Sequence, residues 1–326
     1  MKGKILKQLI ENKNKYISGQ YLSQSLDISR TAVWKYVNAL KKQGYEIEGV
    51  PNKGYRLVSS PDILTQEEIS PLLTTSIMGC RIIHRDTLAS TSILAKEIAS
   101  QQKEGTVVIA EEQSGGRGRL GRQWFSPRGG GIFVSIILKP EIRPDKAYQI
   151  TQVAAVAAVK AIEDITGLAA GIKWPNDIIV NGKKVCGILT EMNAEADIIN
   201  HIVLSMGLNV NAGAEDVPRD IKDKAAFLST ECGCFISRRQ LMAVLLEKTE
   251  IEYIKFLKNG FKATVGDCRK YSLSLGREVR VTQIDRVLRG RAVDITEEGI
   301  LLLETGSGTV EVISGDVSVR GIDGYL

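Results

Sequence analysis

The stretch Gly115-Gly-Arg-Gly-Arg-Leu-Gly-Arg122 decides which fold the chain can adopt. It spells G-x-G-x-x-G, the fingerprint of dinucleotide-binding folds, which requires a strand before it and a helix after it. An apolar strand over 106–110 does precede it, but the loop runs into Gln123-Trp-Phe-Ser-Pro127 and then three glycines, which cannot begin a helix. No Gly-Lys-Ser or Gly-Lys-Thr follows, so neither a Rossmann fold nor a phosphate-loop fold is indicated.

The same loop is suited to binding an anion. Its glycines let the backbone approach a ligand closely, while Arg117, Arg119 and Arg122 supply positive charge and paired donors for a phosphate or a carboxylate. We expect a flexible loop that orders around such an anion. A disordered Arg-Gly nucleic-acid segment is the alternative, but such segments are longer and do not lie between apolar strands.

On both sides of the loop, the order of predicted strands and helices indicates a mixed sheet with helices. This order lacks the regular strand-helix alternation of a doubly wound fold. The predicted elements are strand 81–84, helix 92–102 capped by Ser90 or Thr91, strand 106–110, helix 147–166, a hairpin over 177–192 with an Asn-Gly turn, and strand 198–209.

Polar residues beside these strands are candidate ligand groups. In Lys173-Trp-Pro-Asn-Asp177 the two charges are equally compatible with a structural ion pair and with a role at a ligand. Lys184 begins the strand after the Asn-Gly turn, where its charge can reach a cleft, although a single lysine there is usually only solvated. Asn209 ends the last strand of this set and is ambiguous in isolation.

Residues 1–60 predict a winged helix-turn-helix. This segment carries eleven Lys or Arg against four Asp or Glu, a net charge of +7, whereas the whole chain carries +5. The basic character therefore belongs to this end. The predicted elements are helices over 4–10, 20–26 and 30–43, the last two capped by Ser18 and Ser29, and a β-hairpin over 45–58 that turns at Pro51-Asn-Lys-Gly54.

In such a domain the second helix of the pair contacts base edges in the major groove, and the wing contacts phosphates. A small helical adaptor with a solvated basic face is the alternative, but the turn, the wing and the charge together favour DNA. Trp34 is predicted to be partly buried and to pack. The residues predicted to contact DNA are Arg30, Thr31 and Lys35 on the helix and Lys53 and Arg56 on the wing.

Length and composition fit a multidomain globular protein. The 326 residues predict two or three domains, and 43% apolar with 25% charged residues excludes wholesale disorder. No apolar run approaches the roughly 20 residues that cross a bilayer, and no secretion signal begins the chain, so we expect a cytoplasmic protein without membrane contact. Five cysteines without Cys-x-x-Cys spacing and two histidines argue against a zinc cluster, and the thiols are predicted to be reduced and mostly packing residues.

Two features of the sequence indicate domain boundaries: a polar, helix-breaking cluster near residue 60 and a change to short strands near the C-terminus. Ser59-Ser-Pro-Asp62 is a polar breaker cluster, and the short strands from Glu278 onward suggest a small SH3-like barrel. We therefore predict an α+β multidomain chain. Its parts are residues 1–60, the winged helix-turn-helix, residues 61–272, a central mixed sheet with helices, and residues 273–326, a C-terminal SH3-like β-barrel.

Six motifs, in their order along the chain, resemble those of biotin-protein ligases. The combination is specific, whereas each piece alone is weak. The motifs are Ser90-Thr-Ser92, Glu112-Gln-Ser-Gly-Gly-Arg-Gly-Arg119, Trp124-Phe-Ser-Pro127, Lys173-Trp-Pro-Asn-Asp177, Lys184-Val-Cys-Gly-Ile-Leu189 and Gly207-Leu-Asn209. With Ser29-Arg-Thr-Ala-Val-Trp-Lys35 in front, the chain is similar over essentially its full length to the bifunctional biotin ligases and biotin operon repressors, whose central domain is class II synthetase-like.

The resemblance implies a two-step reaction with ATP and Mg²⁺. Biotin and ATP form biotinyl-5'-adenylate and pyrophosphate, and a lysine of the biotin carboxyl carrier domain of acetyl-CoA carboxylase or a related carboxylase then attacks the adenylate. It also implies that the adenylate-bound protein forms a homodimer through its central sheet and binds operator DNA, with the adenylate as corepressor. The apolar run from Gly130 to Leu138 is either a buried strand or the edge used in that dimer.

The resemblance implies roles for individual residues as well. The residues assigned to biotin are Ser90, Thr91, Ser92, Gln113, Arg117, Gly118, Arg119 and Lys184, of which Lys184, Arg119 and Arg117 form the catalytic set. The residues assigned to the nucleotide are Lys173, Asn176, Asp177 and Asn209, with Mg²⁺ held through the phosphates and Asp177 as its candidate protein ligand. The adenine-stacking residue stays unassigned, because Ala225-Ala-Phe227 departs from the pattern of some members.

Two rival functions stay open. The chain could be a transcription factor that senses a small carboxylate without ligase activity, or a ligase whose N-terminal unit is only an interaction module. Transfer of biotin to an acceptor lysine separates the first from a ligase, and salt-sensitive operator binding separates the second from a repressor.

Overall fold

The computed structural model describes residues 1–213, 217–219, 221–282, 287–313 and 318–321. It divides the chain into two compact units, Met1–Leu72 and Leu73–Leu326. The first unit extends past the breaker at residue 60, because a short helix after the breaker packs against the first helix of the chain. The separation of 61–272 from 273–326 stays a prediction, since both segments lie within the second unit.

The first unit has the predicted winged helix-turn-helix order. Its elements are α1 (Lys2–Glu11), α2 (Gly19–Leu26), α3 (Arg30–Lys42), β1 (Glu46–Val50), β2 (Gly54–Ser59) and α4 (Gln66–Ile69). Both predicted serine caps form, since Ser18 Oγ accepts the amide of Tyr21 at 3.0 Å and Ser29 Oγ accepts that of Ala32 at 3.1 Å. The inner faces of α1 to α3 bury one apolar core, which includes Leu9, Leu22, Val33, Val37 and Leu40.

The second unit contains a seven-stranded sheet in which β3 and β4 are parallel and all other neighbours are antiparallel. It is the predicted mixed sheet. Its strands, in spatial order, are β3 (Ile82–Leu88), β4 (Val107–Gln113), β5 (Gly131–Leu138), β9 (Ile198–Asn209), β8 (Lys183–Glu195), β7 (Asp177–Val180) and β6 (Gly171–Lys173).

The strand β5 resolves the ambiguity of the apolar run 130–138. It is paired on both sides, with β4 and with β9, and all eight of its residues are buried. It is therefore a central buried strand, and the interpretation of this run as a dimer edge is wrong.

The helices of this unit are α5 (Thr91–Ile98), α6 (Tyr148–Thr166), α7 (Leu228–Cys232), α8 (Arg238–Asn259) and α9 (Val265–Tyr271). The short α5 packs Ala95 and Ala99, the residue after its end, against Val108, Ile137 and Val203 of three neighbouring strands. That packing fixes the N-terminus of α5 at the end of β4. None of the described helices is long and apolar enough to cross a membrane.

The C-terminal strands form an antiparallel sheet of β13, β12, β11, β10 and β14 in that order. They are β10 (Glu278–Thr282), β11 (Val287–Ile295), β12 (Leu301–Thr305), β13 (Gly308–Val312) and β14 (Ser318–Gly321). Helix α6 is hydrogen-bonded to this sheet domain, since Gln149 donates to the carbonyl of Glu298 at 2.9 Å and Gln152 donates to that of Gly299 at 2.7 Å.

Candidate active site

A pocket of about 440 Å³, partly open to solvent, lies over the central strands of the second unit. It brings together residues from six separate segments of sequence. All eight residues assigned to biotin line it, together with Asn176 from the nucleotide set. These residues are Ser90, Thr91, Ser92, Gln113, Arg117, Gly118, Arg119, Asn176 and Lys184.

One side of the pocket is a buried cluster of hydroxyl groups at the start of α5. The amide of Thr91 donates to Gln113 Oε1 at 2.8 Å, and Ser135 Oγ donates to Thr91 Oγ1 at 2.9 Å. Ser90 Oγ lies 3.1 Å from Ser92 Oγ. Because these groups hold one another in place, they present fixed hydrogen-bond donors and acceptors to the pocket.

The glycine-arginine loop is a compact hairpin beside this cluster. Gly118 donates its amide to the carbonyl of Arg122 at 2.7 Å, and Trp124 donates its amide to that of Gly116 at 2.9 Å. A side chain at Gly116 would collide with the carbonyl of Trp124 and with Ser126, so this close turn requires glycine. Ordering of the loop around an anion stays a prediction.

A chain of polar contacts joins the loop to the Lys173–Asp177 cluster and to Lys184. Arg119 Nη1 donates to Asn176 Oδ1 at 2.7 Å, and Asn176 Nδ2 donates to Asp177 Oδ1 at 3.1 Å. Asp177 in turn forms an ion pair with the ammonium group of Lys184. Lys184 is thus held by a carboxylate, and this favours a positioned cation over a solvated one.

Trp124 also lines the pocket, although sequence analysis assigned it no role. Its ring lies on two glycines that face each other across β8 and β9, Gly187 and Gly207. A Cβ atom would come within 2.8 Å of the ring at Gly187 and within 2.5 Å at Gly207. Lys184 Nζ lies 5.1 Å from the ring centroid, within cation-π range. Glycines inside two predicted strands are the signal that could have pointed to this stacked ring.

The other residues assigned to the nucleotide lie next to the pocket without lining it. Lys173 ends β6 and Asn209 ends β9, and both are buried. Asp177 begins β7. Among the described residues, no group of three or more His, Cys, Asp or Glu side chains is placed to hold a metal. Asp177 offers one carboxylate beside Lys184, and this oxygen donor fits a Mg²⁺ ion whose other ligands are phosphate oxygens.

Part of the connecting segment between Asn211 and Ile236 lies beside Lys184, where Ala225 forms a β-bridge with it. The amide of Lys184 donates to the carbonyl of Lys224 at 2.8 Å, and the amide of Ala226 donates to the carbonyl of Lys184 at 3.0 Å. Asn211 closes the segment, because its side chain bonds both the carbonyl and the amide of Ile236, at 2.8 and 3.1 Å. The described part of this segment is therefore anchored to Lys184 by main-chain hydrogen bonds.

A buried ion pair supports the strand ends beneath the pocket, and sequence patterns did not reveal it. Arg238 Nη2 lies 2.8 Å from Glu111 Oε2, both side chains are only 3% exposed, and Arg238 also donates to the carbonyl of Gly131 at 3.0 Å. His84 Nε2 lies 3.0 Å from the second oxygen of Glu111. The pair links the start of α8 to β4 and β5.

In the first unit, Arg30, Thr31 and Lys35 are exposed on α3, as a DNA-contacting face requires. Arg30 and Thr31 line a groove between α3 and the wing. Trp34 lines it too and is 56% exposed, so the prediction that it packs partly buried is wrong.

The two wing residues differ. Lys53 is exposed, whereas Arg56 is half-buried, pairs with Glu48 and lies 4.9 Å from the ring centroid of Tyr16. The hydrogen bond from Tyr16 and the adjacent Arg56 hold the pKa of Glu48 below its ordinary value. Arg56 is therefore partly neutralised by Glu48, and Lys53 is the more exposed of the two charges.

Comparison with known families matches each part of the chain. Residues 82–211 match the Biotin/lipoate A/B protein ligase family, residues 2–56 match an HTH domain, and residues 274–320 match the Biotin protein ligase C terminal domain. Among solved structures, the biotin protein ligase from Aquifex aeolicus in complex with biotin and ATP is 31% identical, with a TM-score of 0.67. That match covers 74% of this chain and 99% of the other.

Full-length relatives combine these parts in the same order. The chain is 41% identical over 324 residues to the bifunctional ligase/repressor BirA of Bacillus subtilis (strain 168), which covers 98% of this chain and 100% of that protein. It is 26% identical over 306 residues to the bifunctional ligase/repressor BirA of Escherichia coli (strain K12), covering 94% of each. On this end-to-end match and on the shared domain order, the chain belongs to the family of biotin-protein ligases, in its branch of bifunctional ligase/repressors.

Proposed function

We propose that the chain forms biotinyl-5'-adenylate from biotin and ATP, transfers biotin to a lysine of a biotin carboxyl carrier domain, and represses transcription as the adenylate-bound form. One observation supports the ligase site above all others. Arg119, Asn176, Asp177 and Lys184 form a continuous polar chain that lies beside the hydroxyl cluster of α5. A neutral ring and a reacting carboxylate require these two environments side by side.

In the first step the biotin carboxylate attacks the α-phosphate of ATP. Two negative groups must approach each other, so the barrier falls when fixed cations lie at the reacting oxygens. Lys184 and Arg119 supply these cations, and Arg117, exposed on the loop, adds a third. Mg²⁺, when bound with ATP, neutralises phosphate charge and favours departure of pyrophosphate.

The positions of Lys184 and Arg119 are set by their partners. Asp177 holds the ammonium group of Lys184 from one side and Trp124 faces it from another, while Asn176 holds Arg119. Preorganisation of this kind avoids the cost of reorienting donors during the reaction. Lys173 at the end of β6 and Asn209 at the end of β9 are assigned to the phosphates and ribose of the nucleotide.

In the second step a carrier lysine attacks the carbonyl carbon of the mixed anhydride, and AMP leaves. Lys184 beside the former carboxylate stabilises the negative charge that develops on the carbonyl oxygen. The proposed acceptor is the carrier domain of acetyl-CoA carboxylase or a related carboxylase. We propose that the protein is cytoplasmic.

The test of the ligase is incubation with biotin, ATP, Mg²⁺ and a purified acceptor domain. We expect biotin to be attached to the acceptor lysine. If no biotin is transferred, the proposed ligase activity is refuted. Lys184→Ala and Arg119→Ala should each slow adenylate formation or retention by roughly 100-fold, the usual loss when one preorganised charge donor is removed. Unchanged adenylate kinetics in both variants would reject the assigned roles.

The repressor function rests on the exposed face of α3 and on the +7 charge of residues 1–60. We propose that the adenylate favours a homodimer whose two first units bind a palindromic operator. A dimer formed by joining two central sheets edge to edge would use an outer strand, β3 or β6. Operator binding that rises with biotin and ATP and falls steeply with salt supports the proposal. If operator binding responds neither to biotin and ATP nor to salt, the first unit is an interaction module.

A further inference from the structure

Two cysteine thiols meet at the end of α7, in the connecting segment between Asn211 and Ile236. Cys232 is the last residue of α7, Gly233 reverses the chain with φ +74°, and Cys234 follows. The left-handed turn at glycine brings both side chains to the same side, and their Sγ atoms lie 3.4 Å apart. The two sulfurs are in contact without being bonded.

These thiols are accessible, unlike two of the other three. Cys234 is exposed and Cys232 is partly exposed, whereas burial raises the pKa of Cys268 to about 12 and also raises that of Cys186. The prediction that the thiols mostly pack holds for the two buried ones and is wrong for Cys232 and Cys234. Cys80 is exposed as well, but its sulfur donates to the carbonyl of Ser76.

The pair fits a disulfide better than a metal site. A disulfide needs two sulfurs that reach about 2.05 Å with modest movement of the backbone. A structural metal site needs about four ligands, and among the described residues no His, Cys, Asp or Glu group of three or more includes this pair. The hydrogen bond between the two thiols and the charge of Cys232 raise the pKa of Cys234 above its ordinary value.

We propose that Cys232 and Cys234 form a reversible dithiol-disulfide site whose oxidant is a low-molecular-weight disulfide of the glutathione type. One thiolate of the pair attacks a sulfur of the oxidant, forming a mixed disulfide and releasing one thiolate of the oxidant. The second cysteine loses its proton and attacks the protein sulfur of that mixed disulfide, releasing the other thiolate. Two protein thiols lose two electrons and two protons, and the oxidant is reduced to two thiols.

The pair lies between two anchors of the connecting segment. Asn181 donates to the carboxylate of Glu231 at 2.6 Å on one side, and Asn211 holds Ile236 on the other. We expect closure of the sulfurs from contact to bond distance to shift the chain between these anchors. Lys224 and Ala226, which are hydrogen-bonded to Lys184, lie just before α7 and outside this stretch. We expect oxidation to slow adenylate formation by pulling on α7 through the Asn181–Glu231 hydrogen bond, a consequence that rests on the proposed ligase function.

Mass spectrometry of the full-length protein tests the site. The protein is incubated with oxidised glutathione, remaining thiols are alkylated, and trypsin is added. Cleavage after Lys224 and Arg238 gives one peptide that contains both cysteines and none of the others. The expected peptide is two hydrogen atoms lighter, carries no alkyl group, and reverts with a dithiol reductant.

Controls separate a pair from single reactive thiols. Cys80 should take up a single glutathione, and Cys234→Ser should leave Cys232 with a glutathione that nothing displaces. A wild-type peptide that carries only glutathione, or only alkylated thiols, would overturn the proposal. Where the disulfide forms but adenylate formation is equal in oxidised and reduced protein, the site stands and its coupling to the ligase is refuted. If neither the oxidised nor the reduced protein forms adenylate, the proposed ligase function is contradicted. The mass spectrum of the cysteine peptide still decides whether the disulfide site exists.

Discussion

Replacement of Gly207 by alanine tests whether Trp124 is seated on the sheet. The new Cβ atom would lie 2.5 Å from Nε1 and 2.7 Å from Cε2 of the Trp124 ring, about 1 Å inside the usual contact distance of 3.5–4.0 Å. The backbone at Gly207 has no left-handed φ, so the change is a matter of space alone. Overpacking of this kind costs about 1–3 kcal/mol.

This cost must appear either in stability or in ligand affinity. If the ring stays, the free energy of unfolding falls by about 1–3 kcal/mol. If the ring moves into the pocket, the dissociation constant for biotin rises roughly 5- to 140-fold, since 1.4 kcal/mol corresponds to a factor of ten. Calorimetric titration with biotin and urea unfolding measure the two quantities. Gly266→Ala in α9 is the matched control, because no heavy atom lies within 4 Å of its new Cβ. If Gly207→Ala changes neither the free energy of unfolding nor the dissociation constant for biotin, Trp124 does not pack on Gly187 and Gly207.

Three further predictions follow from charged groups. Lys53→Ala should weaken operator binding evenly across sequences and lower the slope of log K against log salt by roughly one, whereas an unchanged slope means no phosphate contact. Burial would raise the pKa of Asp267, but the hydrogen bond and charge of Lys160 outweigh it and lower that pKa. The unfolded chain then binds the extra proton, so stability from this group is present above about pH 4 and lost below it. Asp267→Asn should flatten that part of the pH dependence of urea unfolding. Arg238→Ala should destabilise the protein by about 3–5 kcal/mol, because it leaves a buried carboxylate, and Arg238→Met with Glu111→Leu should cost much less. Equal losses in the single and double variants would refute this account.

Local chemistry explains why most elements could be predicted from the sequence. Ser18 and Ser29 start their helices by accepting amides three residues ahead, and this signal needs no tertiary structure. The turn Asn181-Gly182 likewise fixes the hairpin of β7 and β8 through its own positive φ values. Such signals act within a few residues, so they can be recognised in the sequence without knowing what packs against the element.

The pocket depends on contacts that sequence spacing does not encode. Arg119 meets Asn176, 57 residues away, and Glu111 meets the buried Arg238 from the start of α8. Each residue alone reads as an ordinary surface charge or amide. Motif resemblance could name most of the pocket, but it could not say that Trp124 rests on Gly187 and Gly207, because that follows from the register of β8 against β9.

Lys184 shows why periodicity alone misleads at this site. In a regular strand, side chains alternate between faces, so Lys184 and Gly187, three residues apart, should point to opposite faces. The pairing of β7 with β8 shifts register between Ile178 and Ile179, which pair with Cys186 and Lys184 and leave Val185 as an extra residue. This bulge turns Lys184 to the face of Gly187, where Nζ lies 3.1 Å from the position that a Cβ would occupy. The cation reaches Trp124 and the pocket only because the strand is irregular at this one residue.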